Sequence, residues 1–269
     1  MNTRLILGLS MLCVLACEEP TTWELDSKNH DLIVVEGILT NELKRQKIIL
    51  SRPFEQLNAT PEPVSGALVA VRAGSEVQLF SEFPTGSGVY YSDTIQAVVN
   101  RQYQLYILFN DIEYTALAEM VPATPVQPLA YHLVDADSMI YEIDHKDSEQ
   151  PSIQEYWISW AHVAGYEGLP QGQTLSHSFH YTLSSINVNE VFKPAQARVR
   201  FPRGAIVLRK KYSLSTAHEA FLRTFLSETE WRGSVFDVQK GNVATNLSEG
   251  AIGFFAVSTV VSDTTLVAP

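Results

Sequence analysis

Histidines, acids, cysteines and clustered cations are the side chains through which this chain could do chemistry. His177 and His180 are the closest histidine pair. On a strand they face opposite sides, so they cannot share an ion without a bulge. His218-Glu219 opens like a helical zinc motif, yet the position of the second histidine holds Leu222. Asp135 and Asp137 are spaced as calcium ligands in an acidic stretch with Asp144 and Asp147. The loop lacks the glycine and the closing glutamate of an EF-hand and reads as solvated. There is no Gly-x-Ser-x-Gly elbow, and the serines are scattered through turns. No glycine-rich phosphate cradle follows a strand. The expectation is a non-enzymatic protein with no metal and no cofactor.

Binding is the better-supported alternative. Arg198, Arg200, Arg203, Arg209, Lys210 and Lys211 stand close together in an acidic chain. Arg198 and Arg200 share strand parity and project together. One reading is an outward sheet face balanced by nearby carboxylates. The other, with Arg203, is a contact surface for lipopolysaccharide phosphates or an acidic partner loop. Trp157 and Trp160 fall on opposite faces of one strand, so one of them can lie outside the core. Tyr166 sits in a glycine-rich loop. Exposed aromatics of this kind stack on sugars and anchor interfaces. Arg198, Arg200, Arg203, Trp157 and Tyr166 are the candidate partner contacts, with core burial as the default for the tryptophans.

Cysteine usage is more decisive. The chain has two, Cys13 and Cys17. Residues 1–16 read as a lipoprotein signal: Arg4, an apolar block from Leu5 to Leu15, then Ala16 before Cys17. The block is too short to span a bilayer, which takes about twenty residues. Cys17 is the expected lipid attachment site, the alternative being an ordinary secretory signal in which the cysteine is incidental. No disulfide or thiol nucleophile remains beyond it, so the body must rely on apolar burial. Formal charge is −11 over 269 residues, which disfavours nucleic acid and anionic lipid as generic partners.

The elements that must position these residues are mainly strands. Residues 17–30 are polar and irregular and form a tether, able to reach roughly 40 Å when extended. Across 31–120, short strands alternate with turn signals: 32–40, 46–51, 67–72, 76–81, 89–92, 102–109 and 112–120. Tyr103, Leu105, Ile107 and Phe109 share a face, and Asn110-Asp111 fits a two-residue hairpin. Tyr103 suits a tyrosine corner. This spacing predicts an immunoglobulin-like β-sandwich. Pro122, Pro125 and Pro128 make 121–129 a stiff connector. Residues 130–269 read as a second β-rich domain, with strands near 131–143, 156–161, 178–186, 205–208 and 235–238 and a closing strand over 252–261. It carries one amphipathic helix over about 217–231, capped by Thr216 and Glu219 and stopped at Gly233.

Several stretches, in order, resemble a family of outer-membrane lipoproteins common in Bacteroidetes, the domain of unknown function family numbered 4249. They are Val34-Val35-Glu36-Gly37, Pro63-Val64-Ser65-Gly66-Ala67, Gly88-Val89-Tyr90 and Tyr103-Gln104-Leu105. After the proline connector follow Gly241-Asn242-Val243, Asn246 and Gly253-Phe254-Phe255-Ala256-Val257-Ser258. The stretch 193–203 matches least well. The resemblance implies a surface lipoprotein that accompanies a TonB-dependent transporter, and it supplies no catalytic residue. The expectation is therefore a cell-surface protein held in the outer-membrane lipid through Cys17. It would be an accessory or ligand-capture subunit of a TonB-dependent receptor, its ligand unknown. The alternative is a structural or adhesive surface lipoprotein.

Overall fold

The computed structural model describes residues 32–53, 60–184, 198–229 and 243–268, with helix side chains described as far as Leu226. The chain is mainly β, 52% strand and 7% helical. Asp31–Pro269 is one compact unit. The signal, Cys17, the tether, Trp231, the expected strand at 235–238 and the stop at Gly233 lie outside the described residues.

Period-two burial builds the first sheet. Its strands are β1 (Ile33–Thr40), β2 (Lys44–Ser51), β3 (Leu68–Ala73), β4 (Glu76–Glu82), β5 (Val89–Ile95), β6 (Gln102–Phe109) and β7 (Ile112–Glu119). An eighth strand, β14 (Ala251–Ser258), comes from the far end of the chain. The order is β14-β1-β2-β5-β4-β3-β6-β7. Ile33, Val35, Ile48, Leu50, Val69, Val71, Leu105, Ile107, Phe255 and Val257 all enter one core. Each such side chain contributes about 1.5–3 kcal/mol by leaving water. Asn110 and Asp111 both have positive φ, 51° and 63°, as a type I′ hairpin turn requires. The Tyr103 hydroxyl accepts from Val98 N (2.6 Å) and donates to Val98 O (3.3 Å), the corner its position predicts.

Two features differ from expectation. The hydrogen bonding runs unbroken through a single eight-stranded sheet, whereas an immunoglobulin sandwich would split it in two. The sheet's edges, β7 and β14, are also stitched together. Asn246 Nδ2 donates to Leu117 O (2.9 Å) on β7 and to Phe255 O (2.7 Å) on β14. Thr115 N donates to Ser248 Oγ and Ser248 N to Thr115 O. Edge groups at Thr115, Leu117 and Phe255 are thereby satisfied.

The remaining elements are β8 (Tyr131–Asp135), β9 (Ile140–Ile143), β10 (Ser152–Ser159), β11 (Leu175–Thr182), β12 (Arg200–Pro202), β13 (Ile206–Ser213), α1 (Thr216–Thr229) and β15 (Val260–Leu266). They form a four-stranded sheet, β11-β10-β13-β15, and a three-stranded sheet, β12-β9-β8. Tyr141, Tyr156, Ile158, Phe201 and Val207 pack into a second core. The expected closing strand is two strands in two sheets. β14 lies parallel to β1, and after Thr259 the chain enters β15, antiparallel to β13. The partition into 31–120 and 130–269 is therefore crossed by β14. The connector is no free spacer either: Ser213 Oγ and Thr259 Oγ1 both donate to Val121 O, at 2.8 and 2.7 Å.

The helix cap sits one residue earlier than the sequence predicts. Ser215 Oγ accepts from His218 N at 3.3 Å, and Ser215 O from Glu219 N. Glu219 is drawn away instead, accepting from Ser184 N and Ser184 Oγ, both at 2.6 Å, and from Arg223 at 3.0 Å.

Candidate functional site

Of the sequence candidates, the basic segment resolves into different roles. Arg198 and Arg200 both reach the buried carboxylate of Glu142, at 3.7 and 2.9 Å. This is the balanced-face arrangement. Arg203 is exposed. Arg209 is buried and grips Asp263 through two hydrogen bonds, 2.8 and 2.9 Å, while also donating to Gln127 O. Lys210 pairs with Glu42 (2.6 Å), and Lys211 donates to Thr124. Arg209, Lys210 and Lys211 thus fasten β13 to the connector and to the loop after β1.

The aromatic candidates separate as well. Trp157 is 36% exposed, whereas Trp160 is buried. The Trp157 ring stacks on His177 (3.7 Å between centroids), and its Nε1 donates to Glu155 at 2.9 Å. Glu155 also accepts from Tyr212 (2.6 Å) and meets His177 Nε2 at 2.9 Å. Burial alone would raise its pKa, but those hydrogen bonds outweigh it and hold the carboxyl below its ordinary value. Tyr166 packs half-buried on the second core. Arg198, Arg200 and Arg203 sit on or beside β12, whereas Trp157 lies on β10 and Tyr166 in the loop after it.

His177 and His180 take opposite surroundings, as their parity requires. His180 Nε2 meets Asp147 at 2.8 Å, and its ring stacks on His145 at 5.1 Å. Burial, with His180 beside it, pushes His145 down to about 4. Among the described residues no cluster of three or more His, Cys, Asp and Glu side chains could hold a metal ion. No helix there is long and apolar enough to cross a membrane.

Among the described residues, one concavity was not singled out by the sequence. A cleft of about 720 Å³ opens between the outward face of β1 and β14, helix α1, and β10 and β11. Val34, Glu36 and Ile38 come from β1, and Ile252, Phe254 and Ala256 from β14. Their alternation with core residues makes β14 apolar on both faces, and β1 as well except at Glu36. That double apolarity is the signal the sequence offered, because a strand wet on one side would carry polar residues there. Phe179 and Tyr181 enter from β11, and His218, Phe221, Leu222 and Phe225 from α1.

The cleft wall is a set of near-parallel rings. His218 stacks on Phe254 (5.1 Å, 15°), Phe221 on Phe254 (4.8 Å, 20°) and Phe221 on Phe225 (5.6 Å, 20°). His218 is 4% exposed, and its Nδ1 is buried with no hydrogen-bond partner. Burial pushes its pKa down to about 4, so the ring is neutral at pH 7. Gly253 is required at the floor. Its φ is +96°, and a Cβ there would lie 2.3 Å from Val35 O.

Fold and cleft together define a mainly β protein with one α-helix among the described residues and an apolar, aromatic-walled cavity in the size range of small-molecule sites. Residues 18–264 match the family described as "Domain of unknown function (DUF4249)", and the chain belongs to that family. No curated protein matches it.

Proposed function

We propose that this protein is a non-enzymatic, lipid-anchored protein of the outer-membrane surface. It captures an apolar ligand in the cleft between β1, β14 and α1, as an accessory subunit of a TonB-dependent transporter. The observation that carries the capture reading is the cleft itself: about 720 Å³, walled by aromatic and aliphatic side chains with few polar groups. The anchor rests on the signal-like segment and Cys17.

Two experiments test the reading. Affinity purification of the full chain from detergent-solubilised outer membrane should recover a TonB-dependent receptor; an eluate without one overturns the transporter role. Cys17→Ala should move the protein from the membrane to the soluble fraction with its fold intact. A variant that still sediments with membranes would mean the body has a membrane partner of its own.

A second reading, a structural or adhesive surface protein, draws on the outer face of β3, β4, β6 and β7. Leu68 and Leu79 are 57% and 59% exposed there, and Leu108 and Leu117 46% and 52%. Leu68 lies opposite Leu108, and Leu79 opposite Ala70. Contiguous exposed apolar groups of this kind mark contact surfaces. Recovery of a matrix or envelope protein in place of a transporter would favour this reading.

A further inference from the structure

We propose that the cleft takes a flat aromatic molecule, neutral or cationic, carrying an N–H or O–H group that pairs with His218. The inference rests on the capture reading of the same cleft and names the class of ligand.

Three observations support it. The first is shape. His218, Phe221, Phe225 and Phe254 lie within about 20° of parallel where they stack, with centroids 4.8–5.6 Å apart. A planar ligand continues such an offset stack, whereas a branched or chain-like one meets only ring edges. The second is the unpaired nitrogen. A polar ring without a partner costs free energy, and His218 lines the cavity with Nδ1 buried and unpaired, so its other nitrogen is the one a ligand can meet. A ligand donor satisfies it, and an acyl chain would leave it unpaired. The third is charge. Glu36 is the one charged side chain among the described lining residues, and it is exposed. Its carboxylate repels a bound carboxylate or phosphate and favours a cation.

The test uses the full chain in lipid nanodiscs, with empty nanodiscs as the blank, and three fluorescent probes of similar shape. 9-Aminoacridine is a planar cation with N–H donors, acridine-9-carboxylate is its anionic counterpart, and pyrene has neither charge nor donor. The expected result is that 9-aminoacridine binds about tenfold more tightly than the other two. His218→Phe, which keeps a ring in the stack, should weaken it about tenfold, and Glu36→Gln several-fold. Glu36 is exposed, so its variant carries the test if His218→Phe does not fold. Equal or tighter binding of the anion or of pyrene overturns the ligand class and leaves the capture reading standing. So does 9-aminoacridine binding that neither variant weakens. If none of the three probes binds, the ligand class fails, and the capture reading passes to an apolar ligand of another shape, tested with a fluorescent acyl chain.

Discussion

At the scale of the residue, His218 carries the clearest physical signature. It is a histidine kept neutral by burial, stacked on Phe254, with one ring nitrogen unpaired. In the unfolded chain it titrates near 6.5, and in the fold at about 4. Above pH 6.5 both states are neutral there, and the group makes no difference to stability. As pH falls from 6.5 towards 4 the unfolded chain takes up a proton that the fold refuses, so stability is lost across that window. The loss attributable to His218 is roughly 3 kcal/mol at pH 4. Urea unfolding at pH 7, 5.5 and 4.5 should show it, and His218→Phe should flatten that part of the slope. An unchanged slope in the variant would assign the acid sensitivity to another group, and His145, also held near 4, is the next candidate. The sequence showed His218 only as half of a missing zinc motif. Nothing in local spacing reveals that Phe254, thirty-odd positions on, lies against its ring. By contrast, the Tyr103 corner and the Asn110-Asp111 turn were legible, because both are made by residues a few positions apart.

At the scale of the element, β13 shows how one charge-rich stretch can look like a surface and act as a fastening. Arg209 alternates with Leu208 and Lys210, and its parity places it inward, where Asp263 on β15 and Gln127 O on the connector meet it. Arg209→Ala should cost about 3 kcal/mol in urea unfolding, since it strands a partly buried carboxylate and an orphaned carbonyl. Arg203→Ala, at an exposed position, should change stability by no more than about 0.5 kcal/mol. Equal costs for the two would mean that the basic segment acts as one undifferentiated surface. The strand itself was legible only as a short apolar piece, 205–208. Its continuation, Arg209-Lys210-Lys211, carries charges that a strand pattern read for hydrophobicity discards. The groups that accept their hydrogen bonds come from three distant places in the chain, Glu42, the connector at Thr124 and Gln127, and Asp263.

At the scale of the whole molecule, the decisive event is the passage of the chain through Thr259. Eight residues on one side of it complete the first sheet, and seven on the other complete the second. No glycine or proline marks the crossing, since Val257-Ser258-Thr259-Val260-Val261 reads as one strand-forming run, β-branched at every position but Ser258. A pattern of alternation gives strands but not the sheet each one joins, so a second domain seemed to begin after the connector. β14 is held in the first sheet by its parallel ladder with β1, and its other edge is joined to β7 at Asn246, whose side chain bonds to both edge strands at once. Its removal should therefore act locally. Asn246→Ala deletes three hydrogen bonds, 2.7–3.1 Å long, from a half-buried position and should cost about 2 kcal/mol. Amide hydrogen exchange should quicken at Phe255 and along the facing edges of β7 and β14. The interior pairing of β3 with β6, which no Asn246 contact supports, should keep its protection. Because β14 also floors the cleft, a loosened seam should weaken 9-aminoacridine binding without any change to a lining residue. Uniformly faster exchange across all eight strands would instead mean that the sheet opens as one cooperative unit and that Asn246 is not its point of closure.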